Sequence, residues 1–204
     1  MTITGDASRR AKGEARERLI LSSAAELIAE RGLANVKVAD IAQRAGMSSG
    51  HVTYYFPSKT HLLMRAIQNS ERALHDDVVE KVERIRDPWK RLYRLLDLAS
   101  SSGRGDPGWV LWFEVWASAG LDPVLAEMQA ELDARWRRTL TDVIRYGCAS
   151  GVFATDDPDG VSTLLSSLVD GLSVHVTLGD DPIDGKAMRA LCIRAAEAHL
   201  RPPR

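Results

Sequence analysis

An all-α protein is predicted by three features of this 204-residue chain. Apolar residues return at i, i+3, i+4 and i+7 through stretch after stretch, the spacing of one face of a helix. The gaps between those stretches are rich in Gly, Pro and Asp, as in SSGRGDPG and GDDPIDG, and no alternating pattern long enough for a useful strand appears. About nine helices are expected.

The first should run from about Ser8 to Arg31 behind a mobile tail, Met1 to Ala7. Ile20, Ala24, Leu27 and Ile28 form its inward stripe, and Gly32-Leu33 reads as its stop. Its basic start, Arg9, Arg10 and Lys12, is either a solvated tail or an arm along a phosphate backbone. Val38, Ile41, Ala42 and Ala45 then predict a second, short helix ended by Gly46, with Met47 folding back on the core. A third follows at once. Ser48 or Ser49 can cap it, Val52 and Phe56 share its inner face, and Pro57 ends it.

Two short helices joined by a Gly-containing turn make a helix-turn-helix, whose second member enters a DNA major groove. Its outward residues suit that task. Ser49, Gly50, His51, Thr53 and Tyr54 lie largely off the Val52 side, so small groups come first and hydrogen-bonding or aromatic groups follow. Phe56 is read as core, Tyr54 and Tyr55 as surface.

Ile41-Ala42, Ala45-Gly46, Tyr54-Tyr55-Phe56, Ser58-Lys59 and Leu62-Leu63 together resemble the signature of the TetR family of bacterial transcriptional regulators. The likeness covers roughly Arg16 to Ile67. It implies an all-helical homodimer, an N-terminal DNA-binding domain and a C-terminal domain that binds a small molecule and thereby releases operator DNA. Matched position by position, it places DNA contacts on Lys37, Ser49, Gly50, His51, Thr53, Tyr54, Tyr55 and Lys59, with Ser48 beside them. Two positions depart from the pattern. Lys37 stands where many members carry Thr, which removes a hydroxyl cap, and His61 replaces an acidic residue that would complete a capping box with Ser58.

A fourth helix should leave Pro57 and continue to about Arg86. Leu63, Ala66, Ile67, Ser70 and Leu74 keep one face, and Val78, Val82 and Ile85 extend it. The domain reading is therefore residues 1–57 as the DNA-binding head, 58–86 as a connecting helix, and 88–204 as an effector-binding and dimerisation domain. Asp87-Pro88 marks the break. Later helices are expected from Pro88 to Ser101, Pro107 to Ala119, Asp122 to Ser150, Asp159 to Leu178 and Asp184 to Leu200.

Trp109, Trp112, Phe113 and Trp116 lie at i, i+3, i+4 and i+7 and include three of the five tryptophans. They either pack as core or wall a ligand cavity with Glu114 at its margin. Indoles near Asp170 could hold a cationic or aromatic effector, and His175 faces that cavity or is structural. Trp112, Trp116, Asp122-Pro123 and Asp170-Gly171 also resemble the C-terminal domain of the BetI-type, choline-responsive branch; this carries the architecture and not the ligand. Leu164, Leu165, Leu168, Val169, Leu172 and Val176, with Ala190, Leu191, Ile193, Arg194, Ala195 and Ala198, are expected to form a four-helix dimer interface.

Net charge is −1, but residues 1–60 hold nine Lys or Arg against six Asp or Glu, leaving an acidic remainder. A DNA-facing head on an acidic body fits that asymmetry. Cys148 and Cys192 lack metal-ligand spacing and read as reduced thiols in a cytoplasmic protein. No signal peptide and no ~20-residue apolar run is seen. No G-x-S-x-G elbow, Walker loop, H-E-x-x-H pair or Cys/His cluster is present, so neither an enzyme nor a cofactor is expected. An activator without an effector, or a helical ligand carrier, accounts for less of the pattern than a ligand-released repressor.

Overall fold

The computed structural model describes residues 3–201, with side chains from Ala11 onward. Among the described residues it holds nine helices and no strand: α1 (Ile3–Arg31), α2 (Val38–Arg44), α3 (Ser49–Tyr55), α4 (Lys59–Glu83), α5 (Pro88–Ala99), α6 (Pro107–Ala119), α7 (Pro123–Ala149), α8 (Pro158–Leu178) and α9 (Gly185–Leu200). The one large departure in bounds is α1, which begins at Ile3 where a tail to Ala7 was expected. No proline interrupts the chain from there to Arg31, so backbone hydrogen bonding can extend to its start. Met1 and Thr2 lie outside the described residues.

The chain divides into two compact units. One reaches to Ala73 and adds Glu114–Met128; the other is Leu74–Phe113 with the residues from Gln129 on. In the first, Ile20, Ala24 and Leu27 of α1 meet Ile41 and Ala42 of α2, Val52 of α3 and Leu62 and Ala66 of α4, all at most 2 % exposed. That row is the apolar stripe read from the sequence. Arg44 of α2 clamps Glu30 of α1 with two bonds of 2.7 Å. The turn after α2 is a Schellman stop: Met47 N–H reaches Ala42 O at 2.9 Å and Gly46 N–H reaches Gln43 O at 3.2 Å, with Gly46 at φ +65. Only a residue without a Cβ adopts that conformation cheaply.

In the second unit α8 packs on α9, and α9 on α5. Val161, Leu165, Val169, Leu172 and Val176 face Met188, Cys192, Ala196 and Leu200 as buried rows. The broad apolar face expected on α8 is therefore two faces. Leu165, Val169, Leu172 and Val176 are core, whereas Leu164 and Leu178 stand 43 % and 63 % exposed with Leu168 half-buried. On α9, Ala190, Arg194 and Ala198 are exposed and Leu191, Ile193 and Ala195 half-buried. By length and composition α8 alone among the described helices could cross a membrane, against the expectation of none; its buried row on α9 and the charge of Asp170 explain it as a core helix.

The stripe expected along α4 also breaks. Ser70 and Leu74 are exposed, and His75 takes the inward place. Its Nε2 pairs with Thr139 Oγ1 at 2.8 Å, its Nδ1 accepts from Arg135 Nε at 3.1 Å, and its ring meets Trp136 edge-on at 5.0 Å. Burial, with Arg135 adding to it, pushes its pKa below the usual histidine value. A neutral ring satisfies both bonds.

Truncating Ile41, which is 0 % exposed, should cost about 2–5 kcal/mol. Tyr54→Ala on the same motif should change stability by no more than about 0.5 kcal/mol. Urea unfolding of both variants checks the contrast.

Candidate functional site

The helix-turn-helix presents a surface because its inner side is sealed. Val52 is 0 % and Phe56 4 % exposed, while Tyr54 on the opposite side is 82 % exposed. Ser48 caps α3, its hydroxyl accepting the His51 N–H at 3.2 Å, so of the two serines it is the cap. Ser49, Gly50 and Thr53 are exposed with Tyr54, and a Cβ on Gly50 would meet nothing within 4 Å. Nothing therefore blocks close approach along the first turn of the helix.

Tyr55 differs from its neighbour. It is half-buried, with its hydroxyl 3.9 Å from where a Cβ on Gly13 of α1 would stand. Its ring lies 5.5 Å from both Tyr54 and His51, so it props the outer aromatics from beneath. His51 is half-buried, and its Nε2 is shielded from solvent without a hydrogen-bond partner among the described residues. Lys37 sits at the start of α2 with no side-chain cap bond, as expected from the missing hydroxyl, and is exposed, as is Lys59 at the start of α4. Ser58 still caps His61 N–H at 3.3 Å without an acidic partner.

The candidate effector residues fall into three places. Trp109, Trp112 and Phe113 belong to the second unit, Trp109 buried and the other two half-buried. Trp116 and Glu114 lie on the part of α6 that belongs to the first. The Glu114 Oε2 accepts the Ala34 backbone N–H at 3.2 Å in the α1–α2 loop. His175 is exposed on α8, its Nδ1 2.6 Å from Asp180 Oδ2.

Asp170 lies in unusual company. It is exposed to solvent, and burial first and the Asp133 charge second push its pKa up to about 6 against the opposing Arg137. Asp133 on α7 is half-buried and also raised, chiefly by burial, against Arg137 and a 2.9 Å bond from Gln129 Nε2. Sequence reading missed Gln129 and Asp133. Their i, i+4 spacing on α7 was visible, but polar residues at that spacing are common on solvated faces.

Comparison with known proteins agrees with this geometry. Residues 20–66 match the bacterial regulatory proteins of the tetR family, and residues 88–201 match the C-terminal part of BetI-type transcriptional repressors. The HTH-type transcriptional regulator BetI of Rhizobium meliloti is 26 % identical over 91 % of this chain and 90 % of its own. A transcriptional regulator from Saccharomonospora viridis, solved in complex with choline, is 34 % identical with a TM-score of 0.76, over 94 % of this chain and 100 % of its own. A TetR transcription regulator from Haloarcula marismortui is 25 % identical with a TM-score of 0.77, over 92 % and 100 %.

The raised acid predicts a pH effect. Well below the ordinary 3.8, Asp170 is protonated folded and unfolded and costs nothing. As pH rises from there to about 6, the unfolded chain loses the proton first, so the contribution to stability falls; above it the cost is complete. Asp170→Asn should therefore melt near the wild-type temperature at about pH 4 and increasingly above it towards about pH 7. Scanning calorimetry across that range checks it, and a constant offset would contradict the assignment.

Proposed function

Because the chain belongs to the TetR family of bacterial regulators, with the C-terminal domain of the BetI-type transcriptional repressors, we propose that it represses transcription in the cytoplasm as an operator-bound homodimer released by a small organic cation. The observation that carries the DNA part is α3 itself. It is sealed on one side by Val52 and Phe56 and bare on the other at Tyr54.

In this reading residues 1–57 are the reading head and 88–204 the effector-binding and dimerisation domain. Ser49, Gly50, Thr53 and Tyr54 meet base edges and phosphates, with His51 and Tyr55 behind them and Ser48 holding the helix start. Lys37 and Lys59 flank the groove as phosphate contacts. Two such heads engage successive major grooves, ~34–36 Å apart, on a pseudo-palindromic operator.

Dimerisation is assigned to α8 and α9. The row Leu164, Leu168, Gly171, His175 and Leu178 flanks the buried row of α8, and Ala190 and Ala198 are small enough for close helix approach. Leaving such apolar groups in water has no purpose in a monomer. For the effector, Trp109, Trp112 and Phe113 with Asp170 offer indole faces and a carboxylate, the chemistry that holds an organic cation. The choline complex of the Saccharomonospora viridis relative supports that class. Complete switching needs the ligand to prefer the released state by about 5 kcal/mol.

Operator fragments captured from the host genome supply the substrate for the test. Lys59→Ala should lower the salt slope of binding by about 1, whereas Tyr54→Ala should cost about 1–3 kcal/mol and relax sequence preference. Unchanged slope and unchanged preference would remove the DNA contacts assigned to them. Leu164→Asp combined with Leu178→Asp should sediment as a monomer and lose operator binding; a dimer that persists would move the interface elsewhere.

A further inference from the structure

His75 of α4 closes a ring of hydrogen bonds with α7, and the ring dictates where its protons are. Arg135 Nε–H can only donate, so the Nδ1 that faces it at 3.1 Å carries a lone pair. The proton of the neutral imidazole therefore sits on Nε2 and goes to Thr139 Oγ1 at 2.8 Å, and that hydroxyl donates in turn to the Arg135 carbonyl at 3.4 Å. The other arm of the Arg135 guanidinium holds Asp76, the next residue of α4. Of these three links from α4 to α7, two run through one guanidinium.

A second proton has no place in that ring. His75 is 6 % exposed, with the Trp136 ring edge-on at 5.0 Å. A proton on Nδ1 would set N–H against N–H and one cation against another across 3.1 Å. A different acceptor is close by, because Asp76 Oδ1 lies 3.7 Å from the same nitrogen. The charged groups acting on the imidazole are Arg135 and Arg138 of α7, which oppose its charging, and Asp76 on its own helix, which favours it.

We propose that this cluster is an acid-released latch: a proton taken from solvent by His75 Nδ1 expels Arg135, hands Asp76 from the guanidinium to the imidazole, and weakens operator binding by loosening α4 from α7. The effect on operator binding rests on the regulator reading above; the latch does not.

α4 is the element that carries the effect. It starts at Lys59, a short turn beyond α3, and reaches His75 without a break, about 24 Å along at 1.5 Å per residue. Burial first, and Arg135 after it, hold the imidazole below its ordinary 6.5, so the latch is closed at neutral pH. As pH falls below 6.5 the unfolded chain takes up this proton first. The latch therefore contributes its full stability above that value and loses it on the acid side.

Imidazole nitrogen spectra of the full chain between about pH 8 and pH 5 test the latch, with the His75 signals assigned by contact with the Trp136 ring. His75 should carry its proton on Nε2 at neutral pH and titrate on the acid side of 6.5. Asp76→Asn, at a side chain 69 % exposed, removes the acceptor of the charged form and should move that titration about 1 pH unit further to acid. Arg135→Gln removes the opposing charge and should move it the other way; the wild-type spectra and Asp76→Asn stand without it if it fails to fold. In gel shifts over the same interval, wild-type affinity for an operator fragment should fall about tenfold more than that of His75→Gln, whose amide makes both bonds without titrating. His51 and the other histidines titrate in both proteins, so the difference isolates His75. A proton on Nδ1 at neutral pH, or a titration that Asp76→Asn leaves in place, overturns the latch. Titration as stated with equal loss of operator affinity in the two proteins overturns its regulatory part. Wild type that binds no operator at any pH overturns the regulator reading, and the imidazole spectra decide the latch without it.

Discussion

The whole molecule depends on how a seven-residue helix is held. Isolated helices of that length do not persist in water, and α3 (Ser49–Tyr55) has one cap and one fully buried side chain of its own, Val52. Its position is imposed by the row of Ile20, Leu27, Ile41 and Leu62 around it. The Schellman stop at Gly46 sets the angle at which it leaves α2, and Pro57 with the Ser58 cap starts the next helix immediately. Hydrophobic burial thus does the aiming, and the outward residues are spared any role in stability. Tyr54, 82 % exposed, is left free of the core.

Two bonds distant in sequence tie the end of α6 and the start of α7 into the first unit. The end of α6 and the start of α7 belong to the same compact unit as α1, α2 and α3. Glu114 accepts the Ala34 N–H and lies 3.6 Å from where a Cβ on Gly32 would stand, and Gln68 Nε2 reaches Met128 O at 3.4 Å. A carboxylate on a loop amide is charge-assisted and directional. α4, α6 and α7 each contribute residues to both units, which makes them the elements through which an effector and a DNA surface would be linked.

What the sequence made legible follows a simple physical division. Apolar periodicity and chain punctuation mark helices, so all nine were readable, including the Gly46 stop and the inner placement of Val52 and Phe56. Periodicity cannot say what lies opposite a face. Leu74 continues the stripe of α4 but is 51 % exposed, while His75 beside it is buried, because Thr139 and Arg135 of α7 satisfy the imidazole. Glu114, readable as the margin of a possible cavity, accepts a backbone amide of the α1–α2 loop. Tyr55 shares the spacing of a surface aromatic and is half-buried, with its hydroxyl 3.9 Å from where a Cβ on Gly13 of α1 would stand. In each case a partner distant in sequence decides, and no window along one helix contains it.

Where the fold breaks its own rules is informative for the same reason. Buried polar atoms in proteins are nearly always paired, and among the described residues two are not: His51 Nε2 in α3 and Gln129 Oε1 in α7. Packing gives no cause for either, since an apolar side chain of similar size would fill each place without an orphaned group. One lies in the helix assigned to DNA, the other beside two destabilised acids, Asp133 and Asp170. A group already satisfied within the protein gains little from a ligand, because binding only exchanges one bond for another. A group left wanting gains the full interaction. A ligand that paired either atom would recover the stability lost there in the free protein.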